Sequence, residues 1–164
     1  MHQLTRALAL CLALAACAAP PAPQGGFRAP EAPIWSNAQL DQSRLTGRWD
    51  QVAGFGSGDC RPGGAELSGR PGALQVTARL CLAGREARIS GPLEVTGPGR
   101  FRVAGQDWWV IWVDYDYRTL AIGTPSGSFG FVLNRGGALP PDRLRAAAEI
   151  FDFNGYDAAR LVRY

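Results

Sequence analysis

Apolar and polar positions alternate in short runs through the middle of the chain, and glycine and proline cut those runs apart. The breaks stand at Pro62-Gly63-Gly64, Pro71-Gly72, Gly91-Pro92 and Gly97-Pro98-Gly99. Residues 73–78, 88–90, 101–103, 108–113, 119–123 and 129–133 carry β-formers between or after such breaks. Short strands at roughly 8–12 residue spacing predict an antiparallel barrel or sandwich. No fixed-period repeat is present, which argues against a propeller or solenoid. One segment has a helical period instead: Leu144, Ala147, Ala148 and Phe151 share a face. Pro140-Pro141-Asp142 opens it, with proline and an acid in the first turn, and Asn154-Gly155 stops it. Residues 160–164 then suit a last short strand. A lone helix with one apolar stripe must lie against the outside of the sheet.

Residues 108–113, Trp-Trp-Val-Ile-Trp-Val, are apolar on both parities. An antiparallel strand with one wet face alternates, so this one is covered on both sides. A barrel strand between a filled or ligand-lined lumen and the helix meets that requirement. So does a strand in the core of a sandwich.

The N-terminus changes the picture of where the protein works. Residues 7–16 form an apolar run behind Arg6, too short for a mature transmembrane helix, which needs about 20 residues. A basic start, a short apolar stretch and small residues make a secretory signal. The run ends Leu14-Ala15-Ala16-Cys17, which resembles the bacterial lipobox, a pattern whose cysteine is lipidated and becomes the new N-terminus. Residues 1–16 are accordingly expected to be a lipoprotein signal peptide. Ala18 after the cysteine, rather than aspartate, leans toward the outer membrane. Pro20, Pro21, Pro23, Pro30 and Pro33 make residues 17–37 a Pro/Ala-rich tether. At about 3.1 Å per residue it holds a 38–164 domain some tens of Å from the bilayer.

Charge and cysteines narrow the chemistry. The 164 residues include 17 basic ones, all arginine, with a formal net charge of only +3. No arginine run makes a basic stripe, so nucleic acid is not an expected partner. The one histidine is His2, which would leave with the signal. The mature chain therefore has no Ser-His-Asp or Cys-His catalysis and no histidine-ligated metal. Cys11 would also leave, and Cys17 would be the lipidation site. Cys60 and Cys81 remain as a pair in an oxidising compartment, where a disulfide is expected; a redox or metal role is the alternative.

Three separated segments resemble the lipocalins, specifically the bacterial outer-membrane lipoprotein lipocalins related to apolipoprotein D. Gly47-Arg48-Trp49, followed by Val52-Ala53 and Phe55, is similar to the family's Gly-x-Trp motif on the first strand. Residues 113–118, Val-Asp-Tyr-Asp-Tyr-Arg, resemble its second motif, at a strand-joining turn. Residues 131–135, Phe-Val-Leu-Asn-Arg, resemble its third, where an arginine ends the eighth strand. Residues 154–162 resemble the Gly-aromatic-Asp stretch that follows the helix. The likeness covers 43–56 and 107–164; residues 57–106 match poorly and look short.

The resemblance implies an all-β fold: an eight-stranded antiparallel up-and-down barrel, closed at one end, with one C-terminal α-helix packed outside. Gly47 would allow close chain approach, Trp49 would plug the closed end, and Arg135 would stack on its ring. Asp114 and Tyr117 would shape the turn. Strand parity then places Gln51, Ala53 and Phe55, then Trp109, Ile111 and Val113, and finally Phe129, Phe131 and Leu133 in the lumen as ligand-binding residues. Trp108, Val110 and Trp112 would face outward; a one-residue slip exchanges the two sets. The implied function is a lipid-anchored, periplasm-facing lipocalin of the bacterial outer membrane. It would bind or transport a small hydrophobic ligand such as a fatty acid or lysophospholipid. The alternative is a filled barrel that acts as a protein- or cell-wall-binding module. No cofactor, metal or catalytic residue is expected. The carboxylate pairs Asp114 with Asp116 and Asp50 with Asp59 lie at strand ends and turns, where solvated acids are ordinary.

Overall fold

Alternation places the strands where the sequence has it, and the breaks become turns. The computed structural model describes residues 26–56 and 60–164. Ten antiparallel strands follow in order: β1 (Gly47–Phe55), β2 (Gly64–Arg70), β3 (Ala73–Leu82), β4 (Arg85–Pro92), β5 (Glu94–Gly97), β6 (Arg100–Val103), β7 (Gln106–Val113), β8 (Thr119–Gly123), β9 (Gly130–Asn134) and β10 (Leu161–Arg163). One helix, α1 (Pro141–Phe153), separates β9 from β10. The strands pair in the order β4-β3-β2-β1-β9-β8-β7-β6-β5, with β10 beside β1.

The count is ten rather than the expected eight. Only Leu93 separates β4 from β5, yet β4 pairs with β3 and β5 with β6. These two end strands are thus one bent path, and it nearly closes the sheet into a barrel. Leu93 is buried and its N–H still donates to Leu74 O at 2.8 Å, so β3 remains engaged through the bend. The other extra strand, β10, takes the place of β2 beside β1, pairing residues 53–55 after β2 has ended at the partner of Asp50.

Two apolar clusters divide the molecule. The first fills the barrel and contains Trp49, Leu67, Val76, Leu80, Phe101, Trp108, Leu120, Phe131 and Leu133, among others. The second lies between the sheet and α1 and contains Phe27, Ala53, Phe55, Ile111, Ala121, Val132, Ala147, Phe151 and Tyr156. Strands β8 and β9 are buried on both faces because they stand between the two. Residues 108–113 sit there too, as their double apolar parity demanded. On α1, Ala147 and Phe151 are buried and Leu144 and Ile150 pack beside them; Ala148 is half-buried at the margin.

Part of the expected tether belongs to the domain. Residues 26–37 run down the outside of the barrel beside the end of α1. Phe27 is buried, its N–H donates to Gly127 O at 2.7 Å, and Asn37 N–H donates to Val110 O at 2.8 Å. Arg28 is buried as well, and its guanidinium donates to Asn154 O at 2.8 Å, Pro125 O at 3.0 Å and Ala32 O. The signal peptide, Cys17 and Asp59 lie outside the described residues.

A disulfide joins Cys60 to Cys81 with Cα atoms 5.8 Å apart. Beside it, Gln51 acts as a substitute strand residue. Its side-chain amide donates to Cys81 O at 2.8 Å and accepts from Cys81 N–H at 2.7 Å, bridging β1 to β3 where β2 has ended. Replacing Gln51 by Leu leaves both Cys81 backbone groups buried without partners. A loss of about 3 kcal/mol follows from that desolvation, measured by urea unfolding with the disulfide intact; an unchanged midpoint would refute the bridging role.

Candidate functional site: the barrel interior and its open mouth

The interior is built from one parity of each strand, and two bulges decide which. In β1 the register against β9 skips Val52: Gln51 faces Leu133, and Ala53 faces Val132. Trp49 and Gln51 therefore point inward, whereas Ala53 and Phe55 turn to the helix side. In β7 the register against β8 skips Ile111: Val110 faces Ile122, and Trp112 faces Ala121. Trp108 and Val110 are inside, Trp109, Ile111 and Trp112 outside, and Val113 inside again.

These bulges overturn four of the expected lumen positions. Ala53, Phe55, Trp109 and Ile111 belong to the outer cluster, because an extra residue in a strand inverts its parity. Phe55 instead packs in a ring stack with Phe27, Phe151 and Tyr156, at centroid distances of 5.6, 4.9 and 4.9 Å. Gly130 permits that stack: a Cβ there would stand 2.9 Å from Phe55 and 3.0 Å from Phe151. Trp109 lies under the Arg100 guanidinium, 4.1 Å from ring centroid to Cζ. Trp108 and Val110, expected outside, line the interior. Gln51, Val113, Phe129, Phe131 and Leu133 face inward.

The interior is packed. Trp108 meets Phe131 edge-on at 5.2 Å, and Phe129 lies 6.1 Å from Phe131. What space remains is a void of about 20 Å³ bounded by Leu45, Leu67, Leu93, Phe101, Trp108, Val110, Leu120, Ile122 and Leu133. Every one of those walls is apolar, and no charged side chain is among them. Phe101, Leu120 and Ile122 were readable as wall residues from their two-residue spacing; Leu93 was hidden in a break.

One end of the barrel is sealed. Leu45 plugs it below Trp49, whose indole N–H donates to Leu45 O at 2.8 Å. Arg135 stacks on the Trp49 ring with Cζ at 3.5 Å and donates to Thr46 O and Arg44 O at 3.0 and 2.8 Å. Desolvation, reinforced by Arg44, lowers the Arg135 pKa from its ordinary value. Gly47 has φ +110°, yet a Cβ there would meet nothing nearer than Arg135 Nη1 at 3.7 Å. Backbone conformation, rather than close approach, is what glycine serves at this position. Asp114 caps the β7–β8 turn, accepting from Arg118 and Thr119 N–H at 2.7 and 2.6 Å. Tyr117 sits in that turn at φ +56° and its hydroxyl accepts from Asp41 N–H at 2.7 Å. Asp116, the other member of the expected carboxylate pair, is exposed.

The opposite end is open. Between the β6–β7 turn and the β8–β9 loop lies a polar groove of about 290 Å³ lined by Gln106, Asp107, Thr124, Ser126, Ser128 and Phe129. Phe129 belongs to both the groove and the interior cluster. The loop that carries it is held from outside by Tyr156, whose hydroxyl donates toward Phe129 O at 2.9 Å and Thr124 O at 3.1 Å while accepting from Thr124 N–H at 2.7 Å.

With this geometry in place, the profile of the lipocalin-like domain matches residues 83–164. The chain belongs to the lipocalin-like family. This lipocalin is similar in structure to lobster apocrustacyanin A1, with a TM-score of 0.55 and 14% identity over 80% of this chain and 88% of that one. Apocrustacyanin C1 matches over the same shares with a TM-score of 0.55 and 15% identity, and apocrustacyanin C2 with 0.56 and 14%. At those identities the likeness is one of fold. A search of the curated proteins finds no match. The lipocalin motif around Gly47 and Trp49 lies ahead of the matched region, but its stacking on Arg135 joins it to the third motif within that region.

Burial pushes the Tyr156 hydroxyl up to about 12. In the unfolded chain it ionises near 10, so between those values unfolding releases a proton and stability falls as pH rises. The loss across that window is about 3 kcal/mol. Stability followed by urea unfolding with near-ultraviolet circular dichroism should begin to fall above pH 10, and should fall less steeply with pH in Tyr156→Phe. The same variant should lose about 1–3 kcal/mol at neutral pH, from the orphaned Thr124 N–H and loop carbonyls; an unaltered alkaline limb would contradict the clamp.

Proposed function

We propose that this lipocalin is lipid-anchored, faces the periplasm from the bacterial outer membrane, and binds one small hydrophobic ligand, a fatty acid or a lysophospholipid, inside its barrel. The observation that carries the reading is the apolar lining from Phe129 at the polar groove down to Leu45 at the sealed end, in which Gln51 is the inward polar side chain and is spent on Cys81. A chain with a polar head fits that gradient: head in the groove, tail along the axis. The lipobox-like Leu14-Ala15-Ala16-Cys17 supports the anchor, and the Cys60–Cys81 disulfide accords with an oxidising compartment.

The ligand has to make its own room. A void of about 20 Å³ takes one water-sized sphere, whereas ligand sites span roughly 300–1,000 Å³. Phe129 and Phe131 must swing aside, at about 3–5 kcal/mol per ring if the lost packing resembles truncation. About a dozen buried methylenes, at about 0.8 kcal/mol each, offset one or two such displacements. Phe129 is the ring that moves first, because it lies on a loop at the mouth.

The same small volume favours a second reading, a filled barrel that serves as a protein- or cell-wall-binding module. Native mass spectrometry of the mature protein titrated with palmitate and with lysophosphatidylcholine separates the two. The ligand-binding reading predicts one lipid per chain and tighter binding in Phe129→Ala. An unchanged protein mass with both lipids, in the wild type and in Phe129→Ala, would sink it and leave the filled barrel.

A further inference from the structure

The exposed apolar side chains are not scattered. Six large hydrophobic residues are exposed among the described residues, and four of them lie in two segments that meet at the end of α1: Trp35 at 57%, Phe153 at 69%, Val162 at 39% and Tyr164 at 38%. Asn154 is the pivot of that meeting. Its side-chain oxygen accepts from Trp35 N–H at 2.6 Å, its carbonyl accepts from Arg28, and Phe153 precedes it in the chain. Gly26 belongs to the same corner: its carbonyl accepts from Arg160 at 3.2 Å, and Phe27 O accepts from Asp157 N–H at 2.8 Å. Gly26 thus stands against the β8–β9 loop, and Arg28 ties this start of the described chain to Asn154 and the end of α1.

Length turns this corner into a membrane face. Eight residues separate Gly26 from Cys17, and that stretch reaches at most about 30 Å. A domain of this size is roughly 40 Å across. A tether shorter than the body it holds turns its own exit corner toward the bilayer. We infer that Trp35 and Phe153 form a docking face that enters the headgroup region of a phospholipid bilayer, with β10 and the open mouth turned to the same side. This rests on the anchor proposed above. The rings supply the drive, since Asp152 and Asp157 balance Arg28 and Arg160 in number and leave the corner without a strong positive field. Tryptophan suits the place, as its amphipathic ring favours the membrane–water boundary. The consequence for ligand exchange is direct: a lipid leaving the bilayer meets the groove above Phe129 without crossing free water.

The test uses the mature, membrane-extracted protein reconstituted into phosphatidylcholine vesicles, with lipids brominated either near the headgroup or deep in the acyl chain. Shallow bromines should quench tryptophan emission more than deep ones. Most of that quenching should vanish in Trp35→Ser and weaken in Phe153→Ser, which keeps the reporter. Tyr115→Ser, at the sealed end and 93% exposed, should leave it unchanged. The mass of the N-terminal peptide reports acylation at Cys17 independently. Acylated, vesicle-bound protein whose quenching is indifferent to Trp35→Ser would overturn the docking face alone. An unacylated Cys17 would overturn the anchor and the docking inference with it.

Discussion

The structure depends on the parity of two strands. A β-strand alternates its side chains between faces, so β1 and β7 could each have served a single core from end to end. One skipped residue in each, Val52 and Ile111, makes them serve two. The sealed half of β1 sends Trp49 and Gln51 into the barrel, and its other half sends Ala53 and Phe55 under the helix. Without that inversion Phe55 would enter a barrel that has a void of only about 20 Å³, and α1 would lose the ring on which Phe151 and Tyr156 stack. Interior volume and helix docking are thus settled by the same two bulges.

The remaining features follow from closing a short sheet. Strands β4 and β5, the two ends of the sheet, join at Leu93 in one bent path, and that path brings the edges together into a nearly closed barrel. The end that bears Trp49 is sealed by stacking and by backbone carbonyls that accept from Arg135. The end that bears Phe129 is left to a loop held from outside by the Tyr156 hydroxyl, the Phe27 N–H and the Arg28 guanidinium. Cross-links stand at both ends: Leu45, Arg135, Asp114 and Tyr117 at the sealed end, and Tyr156, Phe27, Arg28, the disulfide and the Gln51 bridge toward the mouth.

Much of this was legible in the residues. The alternation at 73–78 and the apolar runs at 119–123 and 129–133 became β3, β8 and β9, because those runs carry their own turn signals. The double parity of 108–113 announced burial on both faces, and the stripe on 144–151 announced the helix. The stack of Arg135 on Trp49 came from resemblance to a family, not from spacing. What spacing hid were the bulges, since neither Val52 nor Ile111 is of a type that marks an inserted residue. Counting parity outward from Trp49 therefore gave the wrong face at Ala53 and Phe55, and in 108–113, where spacing allowed either parity, the set with Trp109 and Ile111 lies outside. Strand β2 was hidden for a different reason, its glycines at 64 and 69 reading as breaks. The N-terminal strap was hidden because prolines at 30 and 33 suit an extended segment on a surface as well as one in solvent.

The central claim is that a hydrophobic ligand enters on the Trp108 side of β7 and never meets the Trp109 side. Five tryptophans give five indole N–H signals, and titrating the protein with palmitate while following them by nuclear magnetic resonance tests that claim most directly. The account predicts large shifts for Trp108, a smaller one for Trp49 at the sealed end, and near-silent signals for Trp109 and Trp112 under the helix. A shifted Trp109 beside a silent Trp108 would contradict it.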